Sequence, residues 1–99
     1  MNNFESYIQG NIPVVVEFYA DWSEPCKLMD PVMQEVKEIA GERAITIRID
    51  IDKNQELAQQ YRIYTAPTVA IFKEGRIIWH NNGITTAHEI LDHLLLEIE

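Results

Sequence analysis

The feature that most constrains the fold is a run of β-branched and aromatic residues from Pro13 to Tyr19, PVVVEFY. Its hydrophobic residues follow one another instead of alternating with polar ones, which is typical of a strand buried on both faces. Such a strand lies inside a sheet that helices cover on each side. The run therefore predicts an α/β fold, with Glu17 as an unexpected carboxylate in the strand interior.

From Ser23 to about Ala40 the hydrophobic residues recur at helical spacings, which predicts an amphipathic helix. Ser23 suits the N-cap position, and we expect its hydroxyl to cap the helix and stabilise it by about 1 kcal/mol. Pro25 is tolerated in the first turn. Pro31 lies inside the pattern, where it is expected to kink the helix, and Gly41 ends it.

The remaining segments complete a regular order of helices and strands. Helices are predicted at residues 3–10, 54–61 and 86–98, strands at 44–51, 69–73 and 76–80, a turn at Glu74-Gly75 and a loop at 81–83. Strands joined by helices run parallel, and a hairpin runs antiparallel. The order α-β-α-β-α-β-β-α thus predicts a mixed four-stranded sheet flanked by helices, in a single domain over residues 1–99.

Charge and cysteine content limit the partners and the compartment. The chain has 99 residues and a formal net charge of −8, so it lacks the positive surface that nucleic acids and anionic membranes require. No apolar run is long enough to span a bilayer, and the N-terminal residues do not resemble a signal peptide. A single cysteine excludes an intramolecular disulfide. We expect a cytoplasmic protein with neither a nucleic-acid nor a membrane partner.

No metal or cofactor is expected. His80, His88 and His93 accompany one cysteine, and no Cys-x-x-Cys pair supports zinc binding. The spacing of His88 and His93 fits one face of a helix poorly. The three histidines are therefore expected at the surface.

Several motifs in this order resemble those of the thioredoxin family along nearly the whole chain. The segment VEFYADW leads into Pro25-Cys26-Lys27 and Pro31, as the family's strand leads into its active-site helix. Ala66-Pro67-Thr68 resembles the family's loop with a cis proline facing the active site, and FKEG with Gly83 resembles its last hairpin. Relative to thioredoxins, the chain starts late, without their first edge strand. The resemblance implies the thioredoxin fold, a place among the thiol–disulfide oxidoreductases and a role in cell redox homeostasis.

The active-site motif departs from the family pattern. Thioredoxins carry Cys-Gly-Pro-Cys, in which the first cysteine attacks the substrate disulfide and the second resolves the mixed disulfide. The matching positions here are Ser23-Glu24-Pro25-Cys26. A serine hydroxyl cannot replace the attacking thiolate. Cys26 is then either a partly buried structural cysteine or a reactive monothiol.

A charged pair is implied beneath the site. The family has a buried aspartate and a lysine at the strand positions that Glu17 and Arg48 hold here, and its carboxylate moves protons for the resolving cysteine. By this resemblance Glu17 is a proton acceptor under Cys26; the alternative is a buried ion pair kept for packing. If Glu17 is buried, desolvation is expected to raise its pKa and Arg48 to lower it.

A binding surface for protein substrates is implied beside the site. In the resembling fold the backbone before the cis proline pairs with an extended peptide, and Ala66 before Pro67 holds that position here. Trp22, Tyr64 and Ile84 are expected to add an apolar peptide-binding surface. The alternative is a scattered set of exposed hydrophobic residues.

The sequence leaves several functions open. The first is a redox protein limited to monothiol chemistry through Cys26, with a reductase or an external thiol such as glutathione as its partner. The second is a non-catalytic module that binds peptides or client proteins. A thiol peroxidase with a Ser-x-x-Cys motif is the third. The fourth is a dithiol thioredoxin in which Ser23 replaces a cysteine.

Overall fold

The computed structural model describes residues 3–98 of the chain. Its elements are, in order, α1 (Asn3–Ile8), β1 (Val14–Tyr19), α2 (Glu24–Ala40), a 3₁₀ turn (Gly41–Arg43), β2 (Ile45–Asp50), α3 (Gln55–Gln60), β3 (Thr68–Lys73), β4 (Arg76–Asn82), α4 (Ala87–Leu94) and a second 3₁₀ turn (Leu95–Glu97). The predicted order of helices and strands is confirmed. None of the helices described is both long enough and apolar enough to cross a membrane.

Four strands form one sheet in the order β2-β1-β3-β4. β1 and β2 are parallel, with Val14 opposite Ile45 and Tyr19 opposite Asp50. β3 is antiparallel to both β1 and β4. The predicted mixed sheet is therefore confirmed, and β2 and β4 are its two edges.

Some predicted boundaries differ from the structure. The loop predicted at residues 81–83 is wrong for its first two residues, because Asn81 pairs with Val69 and Asn82 with Thr68 within β4. Asparagine is rare in strands, but this pairing uses the backbone groups that every non-proline residue carries. The first helix ends at residue 8 rather than 10, and the last changes from α to 3₁₀ geometry after residue 94.

The strand β1 is buried on both faces of the sheet. Val15 belongs to a hydrophobic core formed with residues of α2 and α4. Its neighbours Val14 and Val16 belong to a second core, formed with residues of α1 and α3. Because both cores remove apolar surface from water, they hold β1 in the interior of the sheet. The prediction from the continuous apolar run is confirmed.

The β3–β4 hairpin turns at Glu74 and Gly75, as predicted. Both residues have positive φ, 55° and 82°, which gives a two-residue turn the twist that a hairpin needs. The Glu74 N–H donates to the Gly10 carbonyl oxygen at 3.0 Å, and the Gly75 N–H donates to the Ile8 carbonyl oxygen at 2.7 Å. These bonds hold the hairpin against the end of α1.

A short turn connects β1 to α2. The Ser23 N–H donates to the Ala20 carbonyl oxygen at 3.1 Å, so the start of α2 lies at the carboxyl end of β1. The helix then continues through Pro31 to Ala40. The residues singled out by the sequence gather at this end of the sheet.

Candidate functional site

Ser23 immediately precedes α2 and is buried. The prediction that its hydroxyl caps the helix is wrong. Pro25 has no N–H to donate, and the Cys26 N–H already donates to the Ser23 carbonyl oxygen at 3.2 Å. The Ser23 hydroxyl instead donates to the carbonyl oxygen of Ala66, at 3.2 Å. Ser23 therefore links the start of α2 to the loop before β3.

Cys26 lies in the first turn of α2, with 3% of its surface exposed. It lines an open cleft of about 250 Å³ together with Asp30 of α2 and Arg48 of β2. The Cys26 side chain is therefore buried, and it borders this cleft.

Glu17 has no exposed surface (0%). Its Oε1 accepts a hydrogen bond from Arg48 Nε at 3.1 Å, and its Oε2 has no hydrogen-bond partner among the described residues. Desolvation raises the pKa of the Glu17 carboxyl group, and the Arg48 charge lowers it in part. Both expected influences are confirmed, and because desolvation is the larger, the pKa is raised overall.

Arg48 extends inward from β2 to three neighbours. Besides its bond to Glu17, its Nη2 lies 3.6 Å from Asp30 Oδ1, and its guanidinium group lies 4.0 Å from the ring centroid of Tyr19. The Arg48 side chain is 49% exposed, so the ion pair is buried on the glutamate side only. Asp30 was not predicted to take part. The signal was its position one turn after Cys26 on α2, which brings the two side chains to one face of the helix.

The loop before β3 lies opposite the start of α2. The Ala66–Pro67 peptide bond is cis, Pro67 is buried and Ala66 is half-buried. The Gly83 N–H donates to the Pro67 carbonyl oxygen at 2.7 Å, which brings the end of β4 beside this loop. Together with the Ser23 bond to Ala66, this contact joins α2, the Pro67 loop and β4 at one place.

Exposed apolar side chains flank these contacts. Trp22, which precedes Ser23, is 69% exposed, and Tyr64 and Ile84 are exposed as well. Trp22 Nε1 donates to Asp52 Oδ2 at 2.8 Å, so one edge of the indole is held in place. No sequence signal pointed to Asp52 as this partner.

The histidines lie apart from this site. His80 and His88 are exposed, as expected. His93 is half-buried, because it stacks on Trp79 with 4.8 Å between the ring centroids. Within residues 3–98 no group of three or more His, Cys, Asp or Glu residues is placed to hold a metal ion.

Comparisons with known proteins agree with this fold. A family model described as thioredoxin matches residues 1–95. The chain is 39% identical over 74 residues to a thioredoxin of Alicyclobacillus acidocaldarius. The aligned segment covers 75% of this chain and 70% of that protein. The chain is also 33% identical over 93 residues to a thioredoxin-like protein of Synechocystis, in an alignment that covers 93% of this chain and 89% of that protein. A crystal structure of a thioredoxin from Nicotiana alata superposes with a TM-score of 0.86 at 29% identity, covering 98% of this chain and 83% of that one.

The family match includes the parts of the chain that form the site. Residues 1–95 contain the start of α2, the Pro67 loop and the β3–β4 hairpin. The sheet and its flanking helices agree with those of the structural neighbour along almost the whole chain. From the family model, the relatives and the fold together, the chain belongs to the thioredoxin family.

Proposed function

We propose that this chain binds extended segments of protein clients and completes no dithiol cycle of its own. The binding surface, here called the client surface, is formed by Trp22, Tyr64, Ala66, Pro67 and Ile84. The observation that carries the proposal is the hydrogen bond from the Ser23 hydroxyl to the Ala66 carbonyl oxygen. Ser23 holds the place of the attacking thiol, and its hydroxyl is buried and engaged with a backbone acceptor. It neither ionises near neutral pH nor forms a stable bond to sulfur.

Client recognition rests on the backbone and on the apolar side chains around Pro67. The Ala66 N–H forms no hydrogen bond within residues 3–98, and it is therefore free to pair with an extended peptide as one strand pairs with another. Trp22, Tyr64 and Ile84 are exposed on either side. Aromatic side chains supply large contact areas. These features favour client segments that are extended and carry apolar residues.

The thiol chemistry left to the chain is one exchange step at Cys26. The Cys26 thiolate attacks a client disulfide, forms a new S–S bond to one client sulfur and releases the other as a thiolate. A further thiol must then break this mixed disulfide, and the chain has none. An external thiol such as glutathione, or a reductase, is the partner that this step requires. Because Cys26 is buried, we expect the step to be slow.

Reduction of insulin disulfides by this chain and by Ser23→Cys tests the proposal. The unsubstituted chain is expected to give no turnover above the rate of the reductant alone. Ser23→Cys is expected to reduce insulin, because it regains a pair of thiols at the start of α2. Turnover by the unsubstituted chain at a rate comparable with the variant would refute the proposal.

The same comparison decides a second candidate, a dithiol thioredoxin in which Ser23 replaces a cysteine. The retained Cys26 and the bonded pair of Glu17 and Arg48 favour it. An active Ser23→Cys variant is expected from both candidates, whereas a silent one rejects the second, because it would show that more than the attacking thiol has changed.

Client binding is tested separately with Cys26→Ala. An extended apolar peptide, measured by isothermal titration calorimetry, is expected to bind this variant as tightly as the unsubstituted chain. If a folded Cys26→Ala protein no longer binds, clients are held by the mixed disulfide and not by the client surface.

A further inference from the structure

The backbone carbonyl groups of the Pro67 loop, residues 65–67, are all engaged within the chain. Each oxygen accepts one hydrogen bond: from the Thr68 hydroxyl at 2.9 Å for Thr65, from the Ser23 hydroxyl at 3.2 Å for Ala66, and from the Gly83 N–H at 2.7 Å for Pro67. Pro67 has no N–H, and the Ala66 N–H has no partner among the described residues. The loop therefore offers a client the Ala66 donor, whereas its carbonyl acceptors are already in use.

An extended client normally needs both backbone groups of the residue that it pairs with. In an antiparallel pair, two opposed residues exchange both of their N–H···O=C bonds. The client residue that accepts from the Ala66 N–H thus brings its own N–H to the Ala66 carbonyl oxygen. The Ser23 hydroxyl already donates to that oxygen, so the client N–H must displace the hydroxyl or crowd beside it.

Displacement of the Ser23 hydroxyl is unfavourable. Ser23 is 4% exposed, and within residues 3–98 its hydroxyl donates to Ala66 and to no other acceptor. A hydroxyl that loses its acceptor in this position is a buried donor without a partner, which is costly. A client is therefore bound best if the residue opposite Ala66 accepts a hydrogen bond and donates none.

Proline is the natural residue that meets this condition. Its carbonyl group accepts like any other, but its nitrogen carries no hydrogen. Proline and the residue before it both favour extended conformations. Proline-rich segments bind to surfaces lined by aromatic side chains, and both aromatic members of the client surface, Trp22 and Tyr64, are exposed.

We propose that Ser23 determines client specificity: by holding the Ala66 carbonyl oxygen, it selects extended clients with proline opposite Ala66. The proline carbonyl oxygen accepts from the Ala66 N–H, and the proline ring contacts the exposed aromatic side chains. The inference rests on the proposed function, because it names the class of client that the client surface binds.

The test uses three short capped peptides of one extended, apolar sequence. They are identical except at one central residue, which is alanine, N-methylalanine or proline. N-methylalanine removes the N–H of alanine without adding the proline ring. We expect the N-methylalanine and proline peptides to bind the unsubstituted chain roughly three- to ten-fold more tightly than the alanine peptide in calorimetry. All three are expected to slow the amide hydrogen exchange of Ala66, measured by NMR.

Substitution of Ser23 is expected to remove this preference. Ser23→Ala frees the Ala66 oxygen for the client, so the alanine peptide is expected to bind this variant at least as tightly as the N-methylalanine peptide. Should Ser23→Ala fail to fold, Ser23→Cys under reducing conditions decides, because a thiol is a weak donor. Thr86→Ala is the matched control. It removes a hydroxyl that caps α4 outside the client surface, and it is expected to keep the preference of the unsubstituted chain.

Three results would overturn the inference and leave the proposed function standing. Equal binding of the alanine and N-methylalanine peptides to the unsubstituted chain would show that the Ala66 oxygen accepts from Ser23 and the client together. The same preference in folded Ser23→Ala would show that another group excludes the client N–H. Binding without slowed exchange at Ala66 would place the peptide elsewhere. If none of the three peptides binds, the inference and the proposed function both fail.

Discussion

Replacement of Glu17 by leucine is expected to stabilise the protein. Leucine has a similar size and removes a carboxylate that is fully buried and has one oxygen without a partner. Burying an unpaired polar group costs about 1–3 kcal/mol. Losing the ion pair with Arg48 costs at most about 1 kcal/mol, because the Arg48 side chain is half exposed and screened by water. We expect a net gain of roughly 1–2 kcal/mol at pH 8 from these two contributions.

The gain is expected to depend on pH, with a sign that follows from the raised pKa of Glu17. The folded state holds this proton more tightly than the unfolded state does. Stability therefore falls as the pH rises from the unfolded pKa, near 4.5, through the higher folded pKa. The Glu17→Leu variant does not lose stability over this pH range, because it lacks the titrating group. Its advantage over the unsubstituted chain is thus smaller at pH 4 than at pH 8.

Urea denaturation followed by circular dichroism at both pH values measures this difference. Each kcal/mol corresponds to about 4–8 °C in Tm for a domain of this size, so thermal melts give a second reading. Arg48→Met is the matched control, and it is expected to destabilise the protein at pH 8 because it leaves the Glu17 charge buried alone. A gain at pH 4 as large as that at pH 8, or a loss at pH 8, would refute the reasoning.

Four further substitutions each test a single feature of the structure. Ser23→Ala removes the hydrogen bond to Ala66 and is expected to lower the free energy of unfolding by about 1 kcal/mol in urea denaturation; an unchanged value would contradict this bond. Thr86→Ala is expected to cost about the same, because the Thr86 hydroxyl caps α4 by accepting from the Glu89 N–H. Gly75→Ala is expected to lower the free energy of unfolding by about 1 kcal/mol, because φ at this position is 82°. The added Cβ meets nothing nearer than the Gln9 side chain at 3.7 Å, so a steric clash does not contribute. An unchanged thermal melt would therefore count against backbone strain. Trp22 is exposed, so Trp22→Ala is expected to change the free energy of unfolding by less than about 0.5 kcal/mol. The same variant is expected to bind client peptide more weakly in calorimetry. Unchanged affinity would remove Trp22 from the client surface.

The parts of the fold that short-range patterns determine could be predicted from the sequence. The burial of β1 on both faces followed from its continuous apolar run, and the turn at Glu74 and Gly75 followed from a glycine between two strands. Asn81 and Asn82 were placed wrongly, since pairing with β3 outweighed their low strand propensity. Local propensity cannot report a partner strand.

The sequence pointed to residues that the fold brings together, but not to the hydrogen bonds between them. The Ser23 hydroxyl was assigned to the helix start, which is its most frequent partner in the local sequence. Its actual acceptor, Ala66, lies 43 positions away along the chain, and only the packing of the Pro67 loop against α2 brings it near. The bond from Trp22 to Asp52 spans 30 positions and has the same cause. Contacts of this kind depend on the tertiary fold rather than on spacing.

The hydrogen bond between Trp22 Nε1 and Asp52 has a consequence for the entropy of recognition. An exposed aromatic side chain normally loses rotamer freedom when a partner covers it, at a cost of about 0.5–1.5 kcal/mol. Here the indole is restrained by its N–H before any partner arrives, while its ring faces stay in contact with water. Part of that loss is incurred on folding, so the binding step retains more of the free energy of apolar contact. Asp52→Ala, which removes the acceptor of this bond, would therefore weaken client affinity without touching a client.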